Sequence, residues 1–425
     1  MLTNAPRGTK DILPDTVGHW TYVEEKIREI CKHYGFHELR TPIFEHTELF
    51  QRGIGEGTDV VDKEMYTFTD RGSRSITLRP ENTASAVRAY LQNKLYGDNS
   101  LVKLFYMGSM FRYDRPQAGR MREFHQFGVE SIGAESPLSD AEIIMLAVDF
   151  LQSLGMKDLS LLLNSVGCPR CRPKYREALK AYFREHLGEL CKDCNDRFER
   201  SPLRILDCKI DADKPFMAGA PKITDCLCDE CKDHFERVKK LLTEAGIDFV
   251  LDPRLVRGLD YYTKTAFEIK YLPLGAQSAV AGGGRYDGLI EEMGGKPTPA
   301  VGFATGLERV LLALEKQNLL PENTPAEDAF VVALGDVAKE PAFCLLAKLR
   351  RAGLTASMDF TGRSMKAQMK QANKMHARFA LILGEDEVKE GTVMMKDMVA
   401  SKQEKVPLAE IIETINNQLH SEVDD

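Results

Sequence analysis

The 425-residue chain has no apolar run near the roughly 18 residues that a membrane-spanning helix requires, so no membrane partner is expected. Its opening stretch, MLTNAPRGTKDILPD, lacks the charged-then-apolar order of a secretory leader, and a cytoplasmic location is expected. Positive charge is not in surplus either. Fifty-seven Lys and Arg face 64 Asp and Glu, a net charge of −7, which argues against non-specific coating of nucleic acid and confines any RNA contact to local basic patches. Cysteine is nearly missing from most of the chain, because eight of the ten lie between Cys168 and Cys231. Such clustering excludes a secreted disulfide scaffold and points to metal. Apolar residues, at 43%, are not scarce, so the chain is globular and long enough for two or three domains.

The most informative stretch is Leu101 to Gly133, LVKLFYMGSMFRYDRPQAGRMREFHQFGVESIG. Both flanks carry β-formers in alternation, and the middle holds Pro116 and Gly119, which reads as two strands joined by a long loop. Counting by twos, Phe124, Gln126 and Glu130 share one face of the returning strand, Phe127 and Val129 the other. Arg112 and Asp114 share a face of the outgoing strand. One side is therefore a core face and the other a binding floor. With Arg115, Arg120 and Arg122 added, four guanidiniums fall within eleven residues, an arrangement suited to several phosphate oxygens. The plainer alternative is a solvated hairpin whose arginines pair with Asp114 and Glu123.

The string FRYDRPQAGRMREFHQFGVE resembles motif 2 of the class II aminoacyl-tRNA synthetases, in the version found in the histidyl-tRNA synthetase family. Asp114 stands where that family usually has glutamate, and Glu123 where glutamine is frequent. Further resemblances run along nearly the whole chain, in five motifs. FHELRTPIFEHTELFQRGIG is similar to motif 1, whose proline, here Pro42, implies a homodimer interface. SITLRPENTASAVRAYL, a strand turning into a helix at Pro80, resembles the loop that grips the substrate's α-ammonium, which implies that role for Glu81 and Thr83; an acid at a helix start also simply complements its dipole. RGLDYY, with Arg257, Tyr261 and Tyr262, and SAVAGGGRYDGL, with Arg285 and Tyr286, resemble the two histidine-specific motifs. AVGFATGLERVLLAL is similar to motif 3, with Arg309 as the helix arginine.

The resemblance implies an α+β protein: a class II antiparallel-sheet catalytic core in two parts, 1–165 and 236–318, a cysteine-rich insertion at 166–235, and a C-terminal α/β anticodon-binding domain at 328–425. It implies ATP-dependent joining of L-histidine to tRNA(His) through a histidyl-adenylate, with Mg²⁺ on the nucleotide. By the same likeness, Arg112 and Arg257 hold the α-phosphate, Asp114, Arg120, Phe124 and Arg309 bind ATP, and Gln126, Glu130, Arg257, Tyr261 and Tyr262 complete the histidine site. A neutral imidazole has one donor and one acceptor, which Glu130 and a tyrosine such as Tyr262 can meet. Arg115 and Gln117 are expected to meet tRNA. The main competing reading is a non-catalytic paralogue such as the regulatory subunit of ATP phosphoribosyltransferase. Those relatives generally lack the anticodon-binding domain and an intact histidine-specific motif, and this chain has both. A zinc-ribbon binding module would account for 168–231 alone.

After the linker QNLLPENTPAED, strands are expected near Phe330, Ala356 and Leu381 with helices between. Lys366, Lys370 and Lys374 recur every four residues, Arg363 and Arg378 flank them, and no acid occurs from Thr361 to Phe379. On a helix this makes a basic stripe, either a tRNA contact or a solvated face. Three pairs, Cys168/Cys171, Cys191/Cys194 and Cys228/Cys231, have the two-residue spacing that lets both thiolates reach one tetrahedral ion. An insertion leaves and rejoins its parent at neighbouring points, so a structural Zn²⁺ on Cys168, Cys171, Cys228 and Cys231 is expected. The rival set is Cys168, Cys171, Cys191 and Cys194, and the plain alternative is reduced cysteines packed as small hydrophobes.

Overall fold

The computed structural model describes residues 3–55, 58, 60–97, 100–208, 210–256, 261–321 and 327–420. The chain divides into two compact units, Met1–Leu320 and Pro321–Asp425. In the first, an eight-stranded sheet runs in the order His37–Glu38, Val102–Phe111, Glu123–Ile132, Ala300–Gly306, Ala279–Arg285, Thr263–Tyr271, Leu159–Gly167, Val250–Leu251. The six middle strands pair antiparallel, and the two-residue edge strands pair parallel.

Alternation sorts the two faces of this sheet. Phe127, Val129, Phe267, Ile269, Val301 and Phe303 point into one large core, covered by the helices Val17–His33, Pro137–Ser153, Asp229–Glu244 and Leu307–Lys316. The opposite face carries Phe124, Gln126 and Glu130 and stays open to a cavity. Trp20, Val23, Ile27 and Ile30 recur at helical spacing, which predicts the first helix, and Val23 and Ile27 are buried in it. The apolar pattern from Asp140 to Leu154 predicts another helix, which begins earlier, at Pro137. Ser136 Oγ accepts the Leu138 N–H at 3.3 Å, and Pro137 takes a first-turn position, where its missing N–H is not needed. Asp140 therefore lies inside the first turn, fully buried, where the Arg285 guanidinium grips both of its carboxylate oxygens. Burial alone would raise the Asp140 pKa, but His234 and Arg285 outweigh it and hold the carboxyl below its usual range.

The cysteine-rich segment forms its own small core. Tyr175, Leu179 and Phe183 of the helix Arg172–Arg184 pack with Phe198 of the helix Lys192–Arg200 and with Phe216 and Ile223. The chain returns through Asp229–Glu244, whose Phe235, Val238 and Leu242 already belong to the main core. A separate three-stranded antiparallel sheet, Phe44–His46, Ser75–Leu78 and Tyr66–Thr69, follows Pro42.

The second unit is a five-stranded sheet in the order Ala356–Met358, Glu327–Ala333, Ala377–Leu383, Thr392–Asp397, Gln403–Pro407. The first three strands are parallel and the last two antiparallel. The helix Asp336–Arg351 buries Leu345, Leu346 and Leu349 against it.

Candidate active site

A cavity of about 780 Å³ lies over the open face of the eight-stranded sheet. Its floor includes Arg112, Asp114, Arg120, Phe124, Gln126 and Glu130 from the central hairpin, and the strands Ala279–Arg285 and Ala300–Gly306 extend it.

At one end the charge is positive. Arg112 donates through Nε to the Pro80 carbonyl at 2.8 Å, and its guanidinium carbon lies 5.3 Å from the Phe124 ring centre. Arg309 donates to the Gly119 and Ala279 carbonyls and to Gln277 Oε1, at 3.1, 2.9 and 2.8 Å, all neutral acceptors. Burial, and then the nearby Arg120 and Arg112, push the Arg309 pKa down; burial is also the leading cause of the lowered pKa of Arg112. Three crowded guanidiniums in a half-dry site favour an anion that relieves their repulsion. Arg120 also pairs with Asp114, whose other oxygen accepts the Arg115 N–H at 2.7 Å. The shortened acid thus ties down its own loop.

Of the four hairpin arginines, Arg112 and Arg120 line the cavity. Arg122 lies 3.8 Å over the Tyr113 ring and donates to the Asp114 carbonyl, while Arg115 and Gln117 are exposed on the loop. The expectation that all four gather on phosphate oxygens is corrected to that extent: the turn closed by Gln117 and Arg120 splits their directions.

The other end is a buried polar cluster. Glu130, 1% exposed, accepts hydrogen bonds from Tyr106 Oη at 3.1 Å and from Tyr286 Oη. Burial raises its pKa to about 8 against the opposing pull of these hydroxyls and of Thr83. The Tyr106 and Tyr286 hydroxyls are driven upward by burial too, so both remain donors at neutral pH. Glu81 caps the helix Thr83–Gln92, accepting the Thr83 and Ala84 N–H groups at 2.7 and 2.9 Å, and its carboxyl also lines the cavity. The acid therefore complements the helix start, and its place in the cavity lining leaves it within reach of a ligand. Gln126 Oε1 is buried without a hydrogen-bond partner, an acceptor left for a ligand donor. Tyr261 and Tyr262, ring centres 4.7 Å apart, close this end, with Tyr286 beside Tyr261. Arg257 lies outside the described residues.

Two residues of this cluster carried no assigned role in the sequence reading. Tyr106 has the same parity as Arg112 on the outgoing strand and pairs across to Gly128, so the count by twos already put it on the floor. A side chain at Gly128 would collide with the Tyr106 hydroxyl, and one at Gly302 with the Glu130 carboxyl. Tyr286 is 156 positions from Glu130, beyond the reach of any local pattern. Its neighbour Arg285 is structural, bound to Asp140, Asp287 and the Ala134 carbonyl rather than to the cavity.

Seven of the ten cysteines fall into two groups. Cys168, Cys171, Cys228 and Cys231 bring their sulfurs within 4.8 Å of one another, with Cys168 Sγ 3.6 Å from Cys171 Sγ and 3.9 Å from Cys228 Sγ. A tetrahedral ion with bonds of about 2.3 Å separates its ligand sulfurs by ~3.8 Å. Burial opposes ionisation of Cys168, yet the Cys171 and Arg170 N–H groups outweigh it and bring the thiol down to about 6. The rival set is not assembled, because Cys191 and Cys194 lie instead with Cys208 and Asp211.

In the second unit Lys366, Lys370 and Lys374 are exposed along the helix Met365–Lys374. The flanking Arg378 is not part of their stripe: it is buried and pairs with Asp397 at 2.9 Å.

An antiparallel catalytic sheet whose arginine-bearing hairpin faces a buried carboxyl, carried in one chain with a mixed α/β unit, defines a class II aminoacyl-tRNA synthetase. Comparison narrows this. The family model for histidyl-tRNA synthetase matches residues 8–310 and that for the anticodon binding domain residues 328–418. The chain is 55% identical to the histidine–tRNA ligase of Pelotomaculum thermopropionicum, over 99% of each chain, and 56% identical to that of Moorella thermoacetica, over 97% of this chain and 98% of the relative. The crystal structure of apo S. aureus histidyl-tRNA synthetase superposes with a TM-score of 0.83 at 41% identity, covering 97% of this chain and all of the other. The chain belongs to the histidyl-tRNA synthetase family.

Proposed function

We infer that the enzyme joins L-histidine to tRNA(His) at the expense of ATP. The observation that carries this reading is the single cavity with crowded arginines at one end and the Glu130 cluster at the other. In the first step a histidine carboxylate oxygen attacks the α-phosphorus, forming the mixed anhydride and releasing pyrophosphate. Two anions meet, so fixed positive charge aimed at the crowded phosphorus lowers the barrier. Arg112 and Arg257 hold the α-phosphate, Arg120 and Arg309 the outer phosphates, and Phe124 stacks on adenine beside Asp114. Mg²⁺ would arrive with the nucleotide and would offset the charge of its phosphates, beside Arg120 and Arg309.

Glu81, Thr83 and Gln126 take the α-ammonium, a role supported by the buried, unpartnered Gln126 Oε1. The imidazole lies between Glu130 and Tyr262, near Tyr261. In the second step the terminal ribose hydroxyl of tRNA attacks the adenylate carbonyl, AMP leaves, and a substrate phosphate oxygen can accept the proton. Arg115 and Gln117, exposed on the hairpin loop, meet the tRNA acceptor end, and Lys366, Lys370 and Lys374 meet the anticodon region. Cys168, Cys171, Cys228 and Cys231 would hold a structural Zn²⁺ at the base of the insertion, which would serve shape rather than catalysis. Thiols that must stay reduced suit the cytoplasm. A homodimer through the Pro42 region is supported by the exposed Ile43, Phe44 and Phe68. The test is aminoacylation of total tRNA with each amino acid in turn: only histidine should be transferred, and equal transfer of another amino acid would overturn the assignment.

A further inference from the structure

The second cysteine group was not anticipated as a unit. Cys191, Cys194, Cys208 and Asp211 bring their sulfurs and a carboxylate oxygen within 4.8 Å of one another. Cys191 Sγ and Cys208 Sγ are 3.7 Å apart, close to the ~3.8 Å edge of a tetrahedron of thiolates around zinc and far from a bonded ~2.05 Å. Packing as small hydrophobes explains buried cysteines, but not a carboxylate at 0% exposure among them. Asp211 is held in place by groups other than the candidate ligand atoms: the Cys191 backbone N–H reaches its two oxygens at 3.2 and 3.0 Å, and Lys214 Nζ lies 2.7 Å from Oδ1. A metal-ligating carboxylate characteristically carries such outer hydrogen bonds, and the lysine offsets the excess negative charge of three thiolates and an acid.

Position gives the cluster a consequence. Leu206, Asp207, Cys208, Ala212 and Asp213 line the substrate cavity, yet this segment forms neither helix nor strand among its described residues. A wall built of turns outside any helix or strand opens more easily unless it is cross-linked.

We propose that Cys191, Cys194, Cys208 and Asp211 form a second structural zinc site, which clamps this wall of the cavity to the helix Lys192–Arg200. Sulfur-rich tetrahedral donors select zinc over hard cations. The site is independent of the one on Cys168, and each can be removed alone.

Elemental analysis of protein purified under reducing conditions without added metal should find about two zinc per chain. Asp211→Asn and Cys194→Ser should each fall to about one, as should Cys228→Ser, and the Cys194/Cys228 double variant to none. Wild-type protein with zinc that Cys194→Ser fully retains would overturn this site while sparing the other. Zinc lost in Cys194→Ser but kept in Cys228→Ser would support this site and overturn the other. A Cys191–Cys208 disulfide found by mass spectrometry in zinc-free native protein would also overturn it. Where a variant fails to fold, cobalt substitution of the unaltered protein decides: charge-transfer intensity of seven thiolates supports two sites, that of four only the Cys168 set. In Asp211→Asn, hydrogen exchange of peptides covering 206–208 and 210–213 should rise about tenfold or more while that of the strand Glu123–Ile132 stays unchanged. Unchanged exchange at the wall after zinc loss would overturn the clamp.

Discussion

The two ends of the cavity solve opposite problems with the same sheet. At the arginine end the groups carry permanent charge, and burial together with mutual repulsion lowers the pKa of Arg112 and Arg309 without removing their charge in the working range. At the other end Glu130 has its pKa raised to about 8 by burial, against the opposing pull of its hydroxyl donors. In the proposed reaction the first end would act by fixed field and the second by a titratable hydrogen-bond acceptor. The difference teaches where each kind of substitution should be felt: rate at the arginines, histidine affinity and its pH dependence at Glu130.

The comparison breaks most sharply at Arg112. Arg112→Ala should remain folded and lose about 100-fold or more in histidine-dependent pyrophosphate exchange, the cost of one preorganised donor. Arg257→Ala is expected to match it. Exchange within a few-fold of the unaltered enzyme would remove the arginine end from the chemistry.

Glu130→Gln should raise KM for histidine about 10- to 100-fold, since one buried acceptor loses its charge, while KM for ATP changes little. Parallel rises in both would mean that the ends are not separate.

The pH profile sharpens the same point. Burial keeps the Glu130 carboxyl protonated up to about pH 8, whereas accepting the ring N–H of a neutral imidazole calls for the carboxylate. The free ring is neutral above a pKa of about 6.5. KM for histidine should therefore fall about tenfold per unit as pH rises towards about 8 and level off above it, with a steeper dependence below about 6.5, where the ring must also lose a proton. Glu130→Gln should abolish the limb at about 8 and keep the one near 6.5. A limb at about 8 that survives the substitution would assign it to another group.

The smallest effect is expected outside the catalytic unit. Lys366, Lys370 and Lys374 changed together to Glu should weaken tRNA charging several-fold and increasingly at low salt, because the lysines act as exposed charges, and leave pyrophosphate exchange intact. Equal loss of both activities would show that the stripe supports the fold instead.

Local periodicity carried much of this molecule. Counting by twos along the hairpin assigned Phe127 and Val129 to the core and Phe124, Gln126 and Glu130 to the floor, because a strand's side-chain period does not depend on what lies elsewhere. The same count extended by six residues from Arg112 reaches Tyr106. It could not say that Arg122 turns onto Tyr113, since a loop has no period. Nor could it find the helix start at Pro137, where a serine cap outweighs the apolar pattern.

What the sequence by itself determined is the set of short-range facts: the faces of strands, the two-residue spacing of the cysteine pairs, the lysines repeating along one helix. Their mutual pairing was decided only by tertiary structure. Glu130 meets Tyr286 across 156 residues, Asp140 meets Arg285 across 145, and Cys191 and Cys194 turn from the Cys168 pair to Cys208 and Asp211. Spacing limits which side chains can share an ion or a proton, but which ones do so depends on the folded core that brings distant segments to the same few ångströms.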